Sequence, residues 1–118
     1  VLQRHGRAHG RGVPDVMALV LGANYSRKEA AEYLSALEAF FQGEFMYGPA
    51  GAAHTASDAV RRGASREELR EHLRATIATY RCMRKETKFN FVSSLGNMKG
   101  CYAVIARVLF GVLRHEPP

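Results

Sequence analysis

Ser65-Arg66-Glu67-Glu68-Leu69-Arg70-Glu71-His72-Leu73-Arg74-Ala75-Thr76-Ile77-Ala78-Thr79-Tyr80-Arg81-Cys82-Met83 is the stretch that decides the fold class. Ser65 with Glu68 three residues later has the spacing of a capping box, in which each side chain satisfies an orphan backbone N–H of the other. Leu69, Leu73, Thr76, Ile77, Tyr80 and Met83 then recur at helical spacing for nearly five turns. Upstream, Ser26 and Glu29 repeat the box, and a second helix is expected from there to about Gln42, before Gly43, with Leu34, Leu37 and Phe41, joined by Ala30 and Tyr33, as its buried stripe.

Working outward, Gly48-Pro49-Ala50-Gly51 reads as a linker into an Ala-rich helix over Ala52 to Arg62, ended by Gly63. Pro14 and Asp15 open a short apolar helix that closes before Gly22. The last helix, from about Asn97 to Leu113, is apolar on almost every side apart from Lys99 and Arg107, the pattern of a helix buried inside a bundle or covered by a partner subunit. Residues 1–12 alternate basic residues with glycines and have nothing to pack. The expected architecture is therefore all-α, a compact bundle of about five helices over residues 13–118 preceded by a flexible basic arm over 1–12.

Composition narrows the partner. Lys and Arg number 17 against 11 Asp and Glu, a net charge of +6, so the surface attracts polyanions. Arg supplies 13 of those 17, and its planar fork suits bidentate contact with phosphate. Two cysteines, Cys82 and Cys101, do not make the dense disulfide framework of a small secreted domain, so an intracellular, reducing compartment is expected. No run of ~18 apolar residues offers a membrane span, and the first residues do not read as a charged-then-apolar leader.

The chemistry-bearing patterns are few. Arg4-His5-Gly6 matches the opening tripeptide of the histidine phosphatases, but neither the strands nor the length of that α/β fold is present. His5 and His9 share a glycine-broken segment, and His54, His72 and His115 are scattered, so neither metal nor cofactor is expected. The segment from Tyr80 to Phe91 interleaves Arg81, Arg84, Lys85 and Lys88 with Tyr80, Phe89 and Phe91. Cations that track phosphates beside aromatic faces that stack on bases suit single-stranded nucleic acid. Arg61, Arg62, Arg66, Arg70 and Arg74 form a second stripe, read as a solvated face partly neutralised by Glu67, Glu68 and Glu71.

Residues 53–69, His54 through Gly63-Ala64-Ser65 to Leu69, resemble the helix-turn-helix of the alkylhydroperoxidase D and carboxymuconolactone decarboxylase family. The resemblance implies an all-helical oligomer with a pocket near His54, the histidine that closes that family's CxxCxxxH motif. Tyr47 and Ala50 stand where the redox cysteines belong, and the relay glutamate's place falls near Ser35, between Glu32 and Glu38. Thiolate chemistry is not implied without the thiols.

These readings converge on a non-enzymatic protein that binds nucleic acid, RNA or single strands, as a homo-oligomer or a subunit of a larger nucleoprotein assembly. The expected contacts are Arg4, Arg7 and Arg11 from the arm and Arg81, Arg84, Lys85, Lys88 and Phe89 from the exit of the long helix. The alternatives are a helical scaffold subunit docking through its last helix and the Phe40-Phe41…Phe45-Met46-Tyr47 cluster, and a degenerate alkylhydroperoxidase-type protein.

Overall fold

Ser26 sets the first described boundary. Its hydroxyl accepts from the Glu29 N–H at 3.1 Å while the Glu29 carboxylate accepts from the Ser26 N–H at 3.0 Å, the complete capping box that the sequence predicts. The computed structural model describes residues 24–83 and 98–117, and among these the chain forms four helices. They are α1 (Arg27–Gly43), α2 (Tyr47–Arg61), α3 (Arg66–Cys82) and α4 (Met98–His115). The arm over 1–12 and the short helix expected over Pro14 to Leu21 lie outside the described residues.

Two boundaries differ from expectation for physical reasons. Gly48-Pro49-Ala50-Gly51 is the first turn of α2, which starts at Tyr47, not a linker before Ala52. Pro49 is the third helical residue, where its missing N–H would have no helical partner in any case and its fixed φ is already helical. At Ser65 only half of the capping box forms. The hydroxyl accepts from the Glu68 N–H at 3.1 Å, but the Glu68 carboxylate is drawn to Arg62 at the end of α2.

Helices α1 and α2 form one hairpin and α3 packs along α4. Small residues, Ala30 and Ala31 facing Ala53, Ala56 and Ala59, line the first seam, and the buried Ser57 hydroxyl donates to the Ala31 carbonyl at 3.2 Å. Gly63, at φ +78, ends α2 in the left-handed region that glycine enters without steric cost. Phe41, Leu34 and Leu37 from α1 close on Val104, Ile105, Val108, Leu109 and Val112 from α4, all essentially inaccessible to solvent.

Helix α4 is the shared wall of the bundle: it packs on α1, α2 and α3. Its apolar circumference is therefore covered by its own chain, leaving Met98 and Phe110 as its exposed large apolar side chains among the described residues. The Tyr25 N–H donates to the Gly111 carbonyl at 3.2 Å, and Arg27 Nε reaches Glu116 at 2.5 Å, tying the start of α1 to the end of α4. The stripe expected on α3 is less buried than its spacing implies. Leu69 and Thr76 are covered, whereas Leu73, Ile77, Tyr80 and Met83 are half-buried, because α3 lies along α4 and touches α2 only sparsely. Tyr33 is likewise partly exposed, packed edge-on to Tyr25 at 5.0 Å between ring centres.

Candidate nucleic-acid interface

Helical geometry places Arg66, Arg70, Arg74 and Arg81 within an arc of about 80° on α3, spread over roughly 22 Å of its length. Beside this row runs the open face of α4. Two contacts fix the pairing as antiparallel: Arg66 reaches Leu113 and Glu116 at one end, and Lys99 reaches Tyr80 at the other. Lys99, Arg107, Phe110 and Arg114 share about 80° of α4 by the same geometry, so one molecular face carries cations from both helices.

The side chains on this face do different things. Arg66 is half-buried, and its Nη1 donates to the Leu113 carbonyl at 3.0 Å and the Glu116 carbonyl at 3.3 Å, capping the C-terminal end of α4. Lys99 Nζ donates to the Tyr80 carbonyl at 3.0 Å and sits 4.0 Å above the Tyr80 ring, closing α3 against α4. Arg70 and Arg74 are solvent-facing and lean on Glu67 at 3.5 Å and Glu71 at 2.6 Å, exposed pairs that another anion can displace at little cost. Arg81 and Arg107 are exposed and make no ion pair among the described residues.

Between the helices lies an open groove of about 340 Å³ lined by Arg66, Arg70, Leu73, Arg74, Phe110 and Leu113. Phe110 is 52% exposed, and the Arg114 guanidinium lies 5.7 Å from its ring centre. An aromatic face left open to water among guanidinium groups can take a nucleobase on the ring while the arginines take the flanking phosphates.

The five arginines expected as one solvated stripe separate into two groups. Arg61 donates to Ser35 Oγ at 2.7 Å and Arg62 bridges Asp58 and Glu68, so both belong to the end of α2. The hydrogen bond from Arg62 holds the Glu68 carboxyl below the usual carboxylate range. Arg66, Arg70 and Arg74 instead join Arg81. Of the eight contacts expected from sequence, Arg81 alone falls within the described residues. Arg4, Arg7, Arg11, Arg84, Lys85, Lys88 and Phe89 lie outside them.

Searches against family models, curated proteins and solved structures give no match for this chain. The remaining motif residues therefore stand on geometry alone. His54 is two-thirds exposed on α2, with Nδ1 3.2 Å from the Glu38 carboxylate of α1, while Tyr47 is exposed and Ala50 buried nearby. A second cleft, about 190 Å³, lies where α2, α3 and α4 meet and includes Thr55, His72, Thr76, Thr79 and Tyr102 but not His54. Its three threonines donate to their own helices four residues back. Among the described residues no three His, Cys, Asp or Glu gather as metal ligands, and no helix is long and apolar enough to cross a membrane. Cys101 is sealed against Met46, its sulfur 3.8 Å away, and burial pushes its thiol up to about 12, whereas Cys82 is exposed.

Sequence reading notes Arg107 only as a polar exception on the last helix and misses Phe110, because that helix reads as apolar on almost every side. The signal is in the chain nonetheless: Arg107, Phe110 and Arg114 are spaced at i, i+3 and i+7, one face of one helix.

Proposed function

We propose that this is a non-enzymatic nucleic-acid-binding protein that holds single strands, RNA or DNA, on the α3–α4 face. One observation carries the reading: a half-exposed aromatic residue, Phe110, lines a groove together with Arg66, Arg70 and Arg74, on the same face as Arg81 and Arg107. Phe110 takes one base by stacking, with Arg114 over the ring from one side. Arg70 and Arg74 release Glu67 and Glu71 to take phosphate, and Arg81 and Arg107 extend the track. A single strand suits this arrangement better than a duplex, because stacking on Phe110 needs an unpaired base. The basic arm and the segment after Cys82 add phosphate contacts on this reading.

The experiment is fluorescence anisotropy of a short labelled oligonucleotide, single-stranded and duplex, with wild type and Phe110→Ala. Stacking is worth ~1–3 kcal/mol per base, so the variant binds single strands roughly 5- to 100-fold more weakly. Duplex binding, driven by phosphates, changes little. Equal loss on both substrates, or none on either, refutes the role given to Phe110.

A further inference from the structure

The described part of the chain is electrically divided. The α1–α2 hairpin carries Glu29, Glu32, Glu38, Glu44 and Asp58 against Arg27, Lys28 and Arg61, with neither Lys nor Arg between Lys28 and Arg61, so it is mildly acidic. From Arg66 to Glu116 the described residues carry Arg66, Arg70, Arg74, Arg81, Lys99, Arg107 and Arg114 against Glu67, Glu68, Glu71 and Glu116, so the α3–α4 pair is basic.

At the acidic pole the α1–α2 turn holds two aromatic rings in water. Phe45 is 77% exposed and Tyr47 65%, their rings edge to face at 6.4 Å, beside the exposed Glu44 and the negative end of α1, whose last turn has no basic residue. Phe45 sits at φ +60, a region that a bulky side chain rarely enters. The conformation is kept by the Met46 N–H donating to the Phe41 carbonyl at 2.8 Å and the Phe45 N–H to the Gln42 carbonyl at 3.0 Å. An aromatic pair displayed by a strained turn gains nothing from the core of its own chain.

We infer that this turn is a docking knob for a second copy of the chain, and that it seats in the second copy's groove, lined by Arg66, Arg70, Arg74 and Phe110. Aromatic meets aromatic, and the Glu44 pole meets Arg70, Arg74 and Arg114. The two surfaces lie toward opposite ends of α4. Met46, within the knob, has its sulfur against Cys101, and Gly48 next to the knob faces the Tyr102 hydroxyl, whereas the groove is formed at Phe110 and Leu113, roughly 15 Å along the helix. A chain therefore does not fill its own groove. The contact is heterologous, head to tail, and propagates into a ring or a filament. It is independent of the nucleic-acid reading, and it competes with a base for Phe110.

The test is sedimentation of three proteins across a concentration series: wild type, a knob variant (Phe45→Gly with Tyr47→Ser) and a groove variant (Phe110→Ser with Arg74→Glu). All four positions are exposed, and glycine suits φ +60. Wild type self-associates, more strongly at low salt, and each variant associates at least about 10-fold more weakly. An equimolar mixture of the two variants forms a one-to-one dimer and nothing larger, since one supplies the groove and the other the knob. A monomeric wild type, a groove variant that still pairs through its knob, or a mixture that stays monomeric overturns the inference. Oligonucleotide affinity, measured on the knob variant, reports separately on the nucleic-acid reading.

Discussion

Arg66 and Arg81 share a helical face, yet the structure gives them opposite tasks, and substituting each by Met separates them. Methionine keeps most of the aliphatic stem and removes the guanidinium. At Arg66 that removal frees the carbonyls of Leu113 and Glu116, which now share one charged donor at 3.0 and 3.3 Å. A hydrogen bond to a charged group contributes ~1.5–3 kcal/mol when buried. Arg66 is half-buried, its second bond is long, and water can replace the donor at a helix end, so the expected cost is about 1–2 kcal/mol. For a domain of this size that lowers Tm by roughly 5–15 °C. Arg81 is exposed with no described partner, and Arg81→Met stays within about 0.5 kcal/mol of wild type. Urea unfolding followed by circular dichroism measures both, with unchanged m showing that the denatured state is not what moved. In oligonucleotide binding the ranking inverts, Arg81→Met weakening affinity and Arg66→Met leaving it nearly intact at temperatures where the variant is folded. Equal destabilisation by the two substitutions, or a cost below about 0.5 kcal/mol at Arg66, refutes the division of labour.

Leu109→Ala removes a side chain with no exposure from the helix that packs on the other three described helices, and the expected loss is about 2–5 kcal/mol by calorimetry or urea titration. A thiol reagent at mildly alkaline pH modifies Cys82 at once and Cys101 only after denaturant is added, because Cys101 is buried and its thiol is pushed up to about 12; two equally fast thiols contradict the packing of α4 on Met46. Hydrogen bonds from Ser26 to Glu29, and from Arg62 to Glu68, hold both carboxyls below their ordinary range. A lowered folded-state value means stability that is complete above the unfolded value of about 4.3 and disappears as pH falls through the folded one. Tm is therefore flat near neutrality and falls on acidification below pH ~4.3, and Glu29→Gln shallows that fall.

The four described helices are legible where their starts and stops are written locally. Ser26 and Ser65 supply caps, Gly63 supplies a left-handed exit, and Leu34, Leu37 and Phe41 fall on one face. What misleads is information that is not local. Pro49 punctuates a loop as readily as it opens a helix, and which it does depends on Met46 and Ala50 being buried on either side. Glu68 has the spacing of a reciprocal cap, yet Arg62 across the α2–α3 turn outbids the Ser65 N–H for its carboxylate. The candidate site is half legible for the same reason. Arg81 is visible as part of a basic and aromatic segment, but that Arg70 and Arg74 line one groove with Phe110 and Arg114 requires knowing that α3 and α4 lie antiparallel. A row of arginines alone does not distinguish the structural Arg66 from the available Arg107.

The central claim, that the α3–α4 face holds nucleic acid through its exposed guanidiniums, is tested most directly by the salt dependence of single-strand binding. Five exposed arginines, Arg70, Arg74, Arg81, Arg107 and Arg114, give a slope of log affinity against log salt of at least about −3.5, or roughly 100-fold weaker binding between about 50 and about 200 mM salt. Replacing Arg81 and Arg107 together by Gln makes the slope shallower by about 1.4. Binding that is absent at low salt, or a slope that the double variant leaves unchanged, contradicts the account.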